Sequence, residues 1–129
     1  MIVLPARNSP AVSPQELRER TVQFAVRVLK LADALPNTAS GRTIANQVAR
    51  SGCSVAANYR SALRGKSRAD FIHKITIVLE EADETALWLE LTERAAILPS
   101  NRLAALAREA EELTKIFNTT RTSARNRRS

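Results

Sequence analysis

The sequence predicts an all-α protein folded as an antiparallel, up-down-up-down four-helix bundle, and three observations carry that prediction. Glycine and proline number only three and five in 129 residues, and four of the prolines stand before helices or near their ends. Apolar residues recur at helical spacing in four long stretches. Each stretch is joined to the next by a short turn, which makes neighbours antiparallel. With 44% of residues apolar and 26% charged, a chain of this length forms one domain around a single core.

Residues 1–12 read as a flexible arm, because the apolar run in MIVLPARNSP is too short for a signal peptide. Helix one follows over about residues 14–35. Ser13 is its cap, Pro14 takes the first helical position and Glu16 completes a capping box. Leu17, Phe24, Val28, Leu31 and Leu35 form its core stripe, and Val22, Val26 and Leu29 form a second apolar strip more than about 100° away around the helix. Pro36 and Asn37 turn the chain into helix two, about residues 40–64. Ile44, Val48, Ser51, Val55, Asn58 and Ala62 share its stripe, with Ala45, Ala49, Gly52, Ala56 and Leu63 beside it. Such small side chains let helix axes approach closely; Gly52 marks a crossing point, and Asn58 needs hydrogen-bond partners if it is buried.

Helix three has a clean start. Gly65 ends the preceding helix, Ser67 caps the new one, and Asp70 occupies the third helical position, where a carboxylate meets the helix dipole. Stepping about 100° per residue from Ile75, the residues Ile72, Leu79, Ala82, Ala86 and Leu89 fall on one stripe, with Phe71 and Val78 on its flank. Ile77, Trp88 and Leu91 gather on the opposite side, with His73 and Glu84 between them. The helix stops at Pro99. A helix packed only against its own chain leaves the single Trp in water. The sequence therefore predicts an oligomer seam of Val22, Val26, Leu29, His73, Ile77, Glu84, Trp88 and Leu91; exposed apolar residues scattered on a monomer are the alternative. Helix four, about residues 101–118, takes Ser100 as its cap and buries Leu103, Leu106, Ala107, Ala110, Leu113 and Phe117. Residues 13–118 thus make the bundle, and residues 119–129 a mobile basic tail.

The net charge of +7 is unevenly distributed. Between Thr38 and Lys66 stand Arg42, Arg50, Arg60, Arg64 and Lys66 with no acid. Between Glu80 and Glu93 stand Glu80, Glu81, Asp83, Glu84, Glu90 and Glu93 with no base. The tail adds Arg121, Arg125, Arg127 and Arg128. Two readings fit the Arg stripe of helix two: solvated salt bridges to the acids of helix three, worth little each, or a phosphate track on which RNA or DNA lies. One Tyr, one Trp and three Phe provide no platform for stacking bases. Any nucleic-acid contact is then directed at the backbone, salt-sensitive and weakly sequence-specific.

Other chemistry finds little support in the residues. Cys53, the only cysteine, forms no intrachain disulfide and has no obvious base to activate it, which fits a reducing, cytoplasmic setting. The only histidine, His73, is not three residues after any Glu, as a di-iron bundle site requires. Gly-rich phosphate loops are absent, and no run approaches the length of a membrane span. The expectation is a protein without metal or cofactor that is not an enzyme.

The run RSGCSVAANYRSALRGKSRADFIHKITIVLEEADETALWLEL, Arg50 to Leu91, resembles the four helix bundle protein family, which includes proteins encoded by intervening sequences within 23S ribosomal RNA genes. The accessory variability protein of diversity-generating retroelements looks like a more distant relative. Weaker similarity extends over about residues 14–117, including EAEELTKIF of helix four. The resemblance implies a bundle that assembles as a homopentameric ring, with nucleic-acid binding in some relatives. Many members read Asn-Ile-Ala-Glu-Gly where this chain has Asn58, Tyr59, Arg60, Ser61 and Ala62. Separately, Arg68 and His73 have the spacing of the motif of HEPN-type ribonucleases, although Ala69 stands where those enzymes commonly place a polar residue. The expected function is thus a homo-oligomer that binds nucleic acid, RNA foremost; a protein-interaction scaffold and a HEPN-like ribonuclease are the alternatives.

Overall fold

A computed structural model describes residues 12–127. It contains four long helices, α1 (Pro14–Ala34), α2 (Ala39–Leu63), α3 (Arg68–Arg94) and α4 (Ala104–Asn126), with a 3-10 turn at Ser100–Arg102 before the last. Among the described residues there is no strand. The first eleven residues of the expected arm, and Arg128, lie outside the described residues. α1 packs on α2, α2 on α3 and α3 on α4, whereas α1 and α4 meet only along a short stretch. There Arg20 donates to both carboxylate oxygens of Glu109, at 2.7 and 2.9 Å, and closes the fourth side of the bundle.

The helix starts follow from local chemistry. The Ser13 hydroxyl accepts from the Glu16 amide at 3.1 Å while the Glu16 carboxylate accepts from the Ser13 amide at 3.0 Å, so two orphan donors of α1 are satisfied reciprocally. Ser67 caps α3 through the Asp70 amide at 3.1 Å. α2 begins slightly earlier than expected, because Thr38 holds the extended conformation of a cap and accepts from the Gly41 amide at 3.0 Å. α3 stops before Pro99. Ala96 adopts a left-handed conformation, φ 54°, and the amides of Ala96 and Ile97 return to the carbonyls of Glu93 and Thr92, a Schellman ending normally given to glycine.

Phe24, Val28, Val48, Val55, Ile75, Val78, Leu113 and Phe117 are fully enclosed and form the centre of the core. A Cβ on Gly52 would stand 2.6 Å from a Val28 methyl, so the crossing point expected at Gly52 is the contact of α2 with α1. Asn58 is half-buried and donates to the carbonyl and hydroxyl oxygens of Ser54, so its amide is satisfied within its own helix. Tyr59, not expected inside, is buried edge-on against Phe117 with ring centroids 5.0 Å apart.

Three expectations are corrected. The buried face of α3 is Ile75, Val78, Ala82, Thr85, Leu89 and Thr92, turned by about 60° from the predicted stripe, so Ile72, Leu79 and Ala86 are only half-buried. The physical reason is that two threonines enter the core at little cost: Thr85 donates to the Glu81 carbonyl and Thr92 to the Trp88 carbonyl, while Ser51 of α2 pairs with the Thr85 hydroxyl at 2.7 Å. Ser100 does not cap α4 but opens the 3-10 turn, and the buried Leu103 leads directly into the helix. Residues 119–126 of the expected tail are helical. The heptad spacing of Leu106, Ala110, Leu113 and Phe117 is resumed by Ala124, which is buried, and Arg121 reaches across to Thr76 of α3.

Candidate nucleic-acid interface

The Arg stripe of α2 does not act as a unit. Arg42 lies in the first turn and bonds the Asn37 side chain at 3.0 Å; at about 1.5 Å of rise per residue it is roughly 27 Å from Arg60. Arg50 is engaged within the subunit. It bonds Glu81 at 3.1 Å and Glu84 through its other terminal nitrogen, and Glu84 also accepts from the Trp88 indole at 3.1 Å. The indole bond first, and then Arg50, hold the Glu84 carboxyl below the usual carboxylate range, and Glu84 in turn raises the Arg50 guanidinium. The salt-bridge reading of the stripe therefore holds at Arg50.

The C-terminal end of α2 is different. α2 closes at Arg64 and α3 opens at Arg68, so the short turn sets Arg64 and Lys66 beside the first turns of α3. There Arg60, Arg64, Lys66 and Lys74 surround an open groove of about 560 Å³ whose lining is completed by Ala57, Ser61 and Asp70. Among the described residues, none of these four bases takes part in an ion pair. Four bases against the single acid Asp70 leave a net positive charge in the groove, and such a cluster creates a potential that attracts anions. Lys74 was missed in the sequence because it lies outside the acid-free run of α2; its signal is the four-residue step from Asp70, which puts both on the side of α3 that faces α2.

α4 adds charge on the other flank of α3 at the same end. Arg121 donates to the Thr76 hydroxyl at 3.5 Å and to Oδ1 of the Asn118 side chain at 3.3 Å, and its buried Nε has no hydrogen-bond partner among the described residues. Arg125 and Arg127 follow and are exposed. The structure thus brings Arg60, Arg64, Lys66, Arg121, Arg125 and Arg127 to one end of the bundle, and leaves Arg42 and Arg50 away from it.

The predicted seam is likewise divided. Val22, Val26 and Leu29 form an exposed strip on α1 more than about 100° around the helix from its core face, Val26 being 40% exposed. On α3 the exposed apolar residues are Leu91 and the unanticipated Leu87, at 47%. Trp88 is half-buried against the core, Ile77 is half-buried and Glu84 is held by Arg50; the rotation of the α3 core face accounts for all three. His73 is exposed. Because α1 and α3 are not neighbours in the bundle, their apolar strips lie at opposite corners of the subunit.

Five positions along a helix turn a side chain by about 140°, so Arg68 and His73 diverge. No three His, Cys, Asp or Glu side chains among the described residues form a metal-holding group. No described helix is long and apolar enough to cross a membrane.

A family model described as 23S rRNA-intervening sequence protein matches residues 15–119. A crystal structure of a protein of unknown function from the S23 ribosomal protein family, from Bacteroides thetaiotaomicron VPI-5482, superposes with a TM-score of 0.79 at 33% identity, over 84% of this chain and 97% of that one. No curated protein matches.

Proposed function

The chain belongs to the 23S rRNA-intervening sequence protein family, and on that premise we propose that it is a homo-oligomeric, non-enzymatic bundle of the cytoplasm that binds the RNA backbone through its basic end. The observation that carries this reading is the groove of Arg60, Arg64, Lys66 and Lys74, whose charges have no ion-pair partner among the described residues. Cations left unneutralised in a concavity repel one another and are relieved by phosphate. Arg121, Arg125 and Arg127 extend the same field across α3.

Oligomerisation draws support from the two apolar strips. A strip on α1 and another on the diagonal helix let one subunit's α1 meet the next subunit's α3, a head-to-tail contact that closes into a ring when the rotation per subunit allows. The family resemblance implies five copies, and we take that as the proposed size of the ring. Light scattering tests assembly, and a monomer at micromolar concentration refutes it. Gel shift with single-stranded RNA at low salt tests binding: the wild type shifts the RNA intact, the Arg60→Glu/Arg64→Glu variant does not, and an unshifted RNA with the wild type refutes the reading in favour of a protein-binding scaffold. Metal-free cleavage of the RNA that disappears in His73→Ala would instead establish the ribonuclease.

A further inference from the structure

Asp70 meets the α3 helix dipole from the third helical position, and that place also sets it among the four bases of the groove. It is the one acid among the lining residues, it is half-buried, and its carboxylate forms no ion pair and accepts no hydrogen bond among the described residues, despite four bases around the same concavity. Gly65 leaves room for it: a Cβ there would stand 2.6 Å from Asp70 Oδ2. A ligand offering only phosphate gains nothing from an acid at this place. A ligand that also offers a hydroxyl donor gains an acceptor with two free oxygens.

We propose that the groove is a ribose-selective site, in which the four bases hold phosphates and the Asp70 carboxylate accepts a hydrogen bond from a 2′-hydroxyl; this rests on the RNA-binding reading above. The lining contains no aromatic side chain, and the buried Tyr59 and the distant Trp88 supply none, so bases are not read by stacking. Phosphate is common to RNA and DNA. The 2′-hydroxyl is the group that separates them, and Asp70 is the acceptor in the lining that can read it, Ser61 being a further hydroxyl of the same lining. A groove of about 560 Å³ accommodates a sugar–phosphate unit.

The test is the ratio of affinities for a short single-stranded RNA and its 2′-deoxy counterpart of the same sequence, measured by fluorescence anisotropy at low salt. The wild type binds RNA at least about fivefold more tightly, as one hydrogen bond to a charged group allows. Asp70→Ala brings the ratio near one, while Asp70→Asn, which keeps a carbonyl acceptor and the helix start, retains a preference. Because the ratio is used, a general gain in affinity from losing a negative charge cancels. Equal binding of both strands by the wild type, or an undiminished ratio in a folded Asp70→Ala, overturns ribose selectivity and leaves backbone binding standing. Binding of neither strand overturns both.

Discussion

Replacing Arg60 and Arg64 together by Ala removes two of the four cations lining the groove without touching the core, since both side chains are exposed. Each phosphate neutralised on a single strand contributes about −0.7 to the slope of log affinity against log salt. Four contacts therefore give a slope of about −2.8, and raising salt from about 50 to 200 mM weakens binding by about 50-fold. With two contacts left, the slope falls to about −1.4 and the loss over the same range to about sevenfold. Fluorescence anisotropy of an RNA short enough to span one groove, titrated at several KCl concentrations, measures both slopes. Arg42→Ala and Arg50→Ala serve as controls and leave the slope unchanged, the first because of its distance along α2, the second because its charge is already spent on Glu81 and Glu84. Equal slopes for wild type and the Arg60/Arg64 variant, or a slope that follows Arg50, would refute the reasoning.

Val26→Glu, on the outer strip of α1, dissociates the oligomer while leaving helicity by circular dichroism and the monomer's thermal midpoint intact, because Val26 is exposed in the subunit; Trp88→Glu instead unfolds the subunit, since Trp88 packs on the core. Gly52→Ala forces a methyl against Val28 and costs about 1–3 kcal/mol in urea unfolding. Ala96→Gly relieves a left-handed alanine and stabilises by about 0.5–1 kcal/mol, read as a higher melting temperature. Glu84 has a folded pKa below its ordinary 4.5, so its contribution to stability is present above the unfolded value and is lost as pH falls through the lowered folded one. The emission of Trp88, the only tryptophan, therefore titrates with a midpoint below 4.5, and this transition disappears in Glu84→Gln.

The starts of α1 and α3 with their serine caps were legible in the chain because they depend on residues within one turn of each other, whereas Gly52 signalled a close crossing without naming the helix it meets. The α3 core face was misjudged for a definite reason. Periodicity weighs each residue by its own hydrophobicity, whereas Thr85 and Thr92 enter the interior through hydroxyl bonds to the preceding turn, and Thr85 further through Ser51 of a different helix. The end of α4 was missed because Ala124 is the only strongly apolar signal after Phe117, and its burial depends on a neighbouring helix. In the candidate site, Arg60, Arg64 and Lys66 were readable as an acid-free run. Lys74 was not, since it joins them only when the turn at Gly65 folds α3 back along α2.

By itself, the order of residues determined that this protein is four helices with a surplus of positive charge and more apolar surface than its own core requires. Tertiary structure alone decided which charges are paired: the same Arg stripe is neutralised at Arg50, where α3 brings Glu81 and Glu84 into ion pairs, and left unpaired at Arg60 and Arg64, where α3 brings Lys74 and an Asp70 that forms no ion pair among the described residues. Charge is a property of the residue, but the field it presents depends on what lies within a few ångströms, and that distance is set by packing between helices remote in the chain.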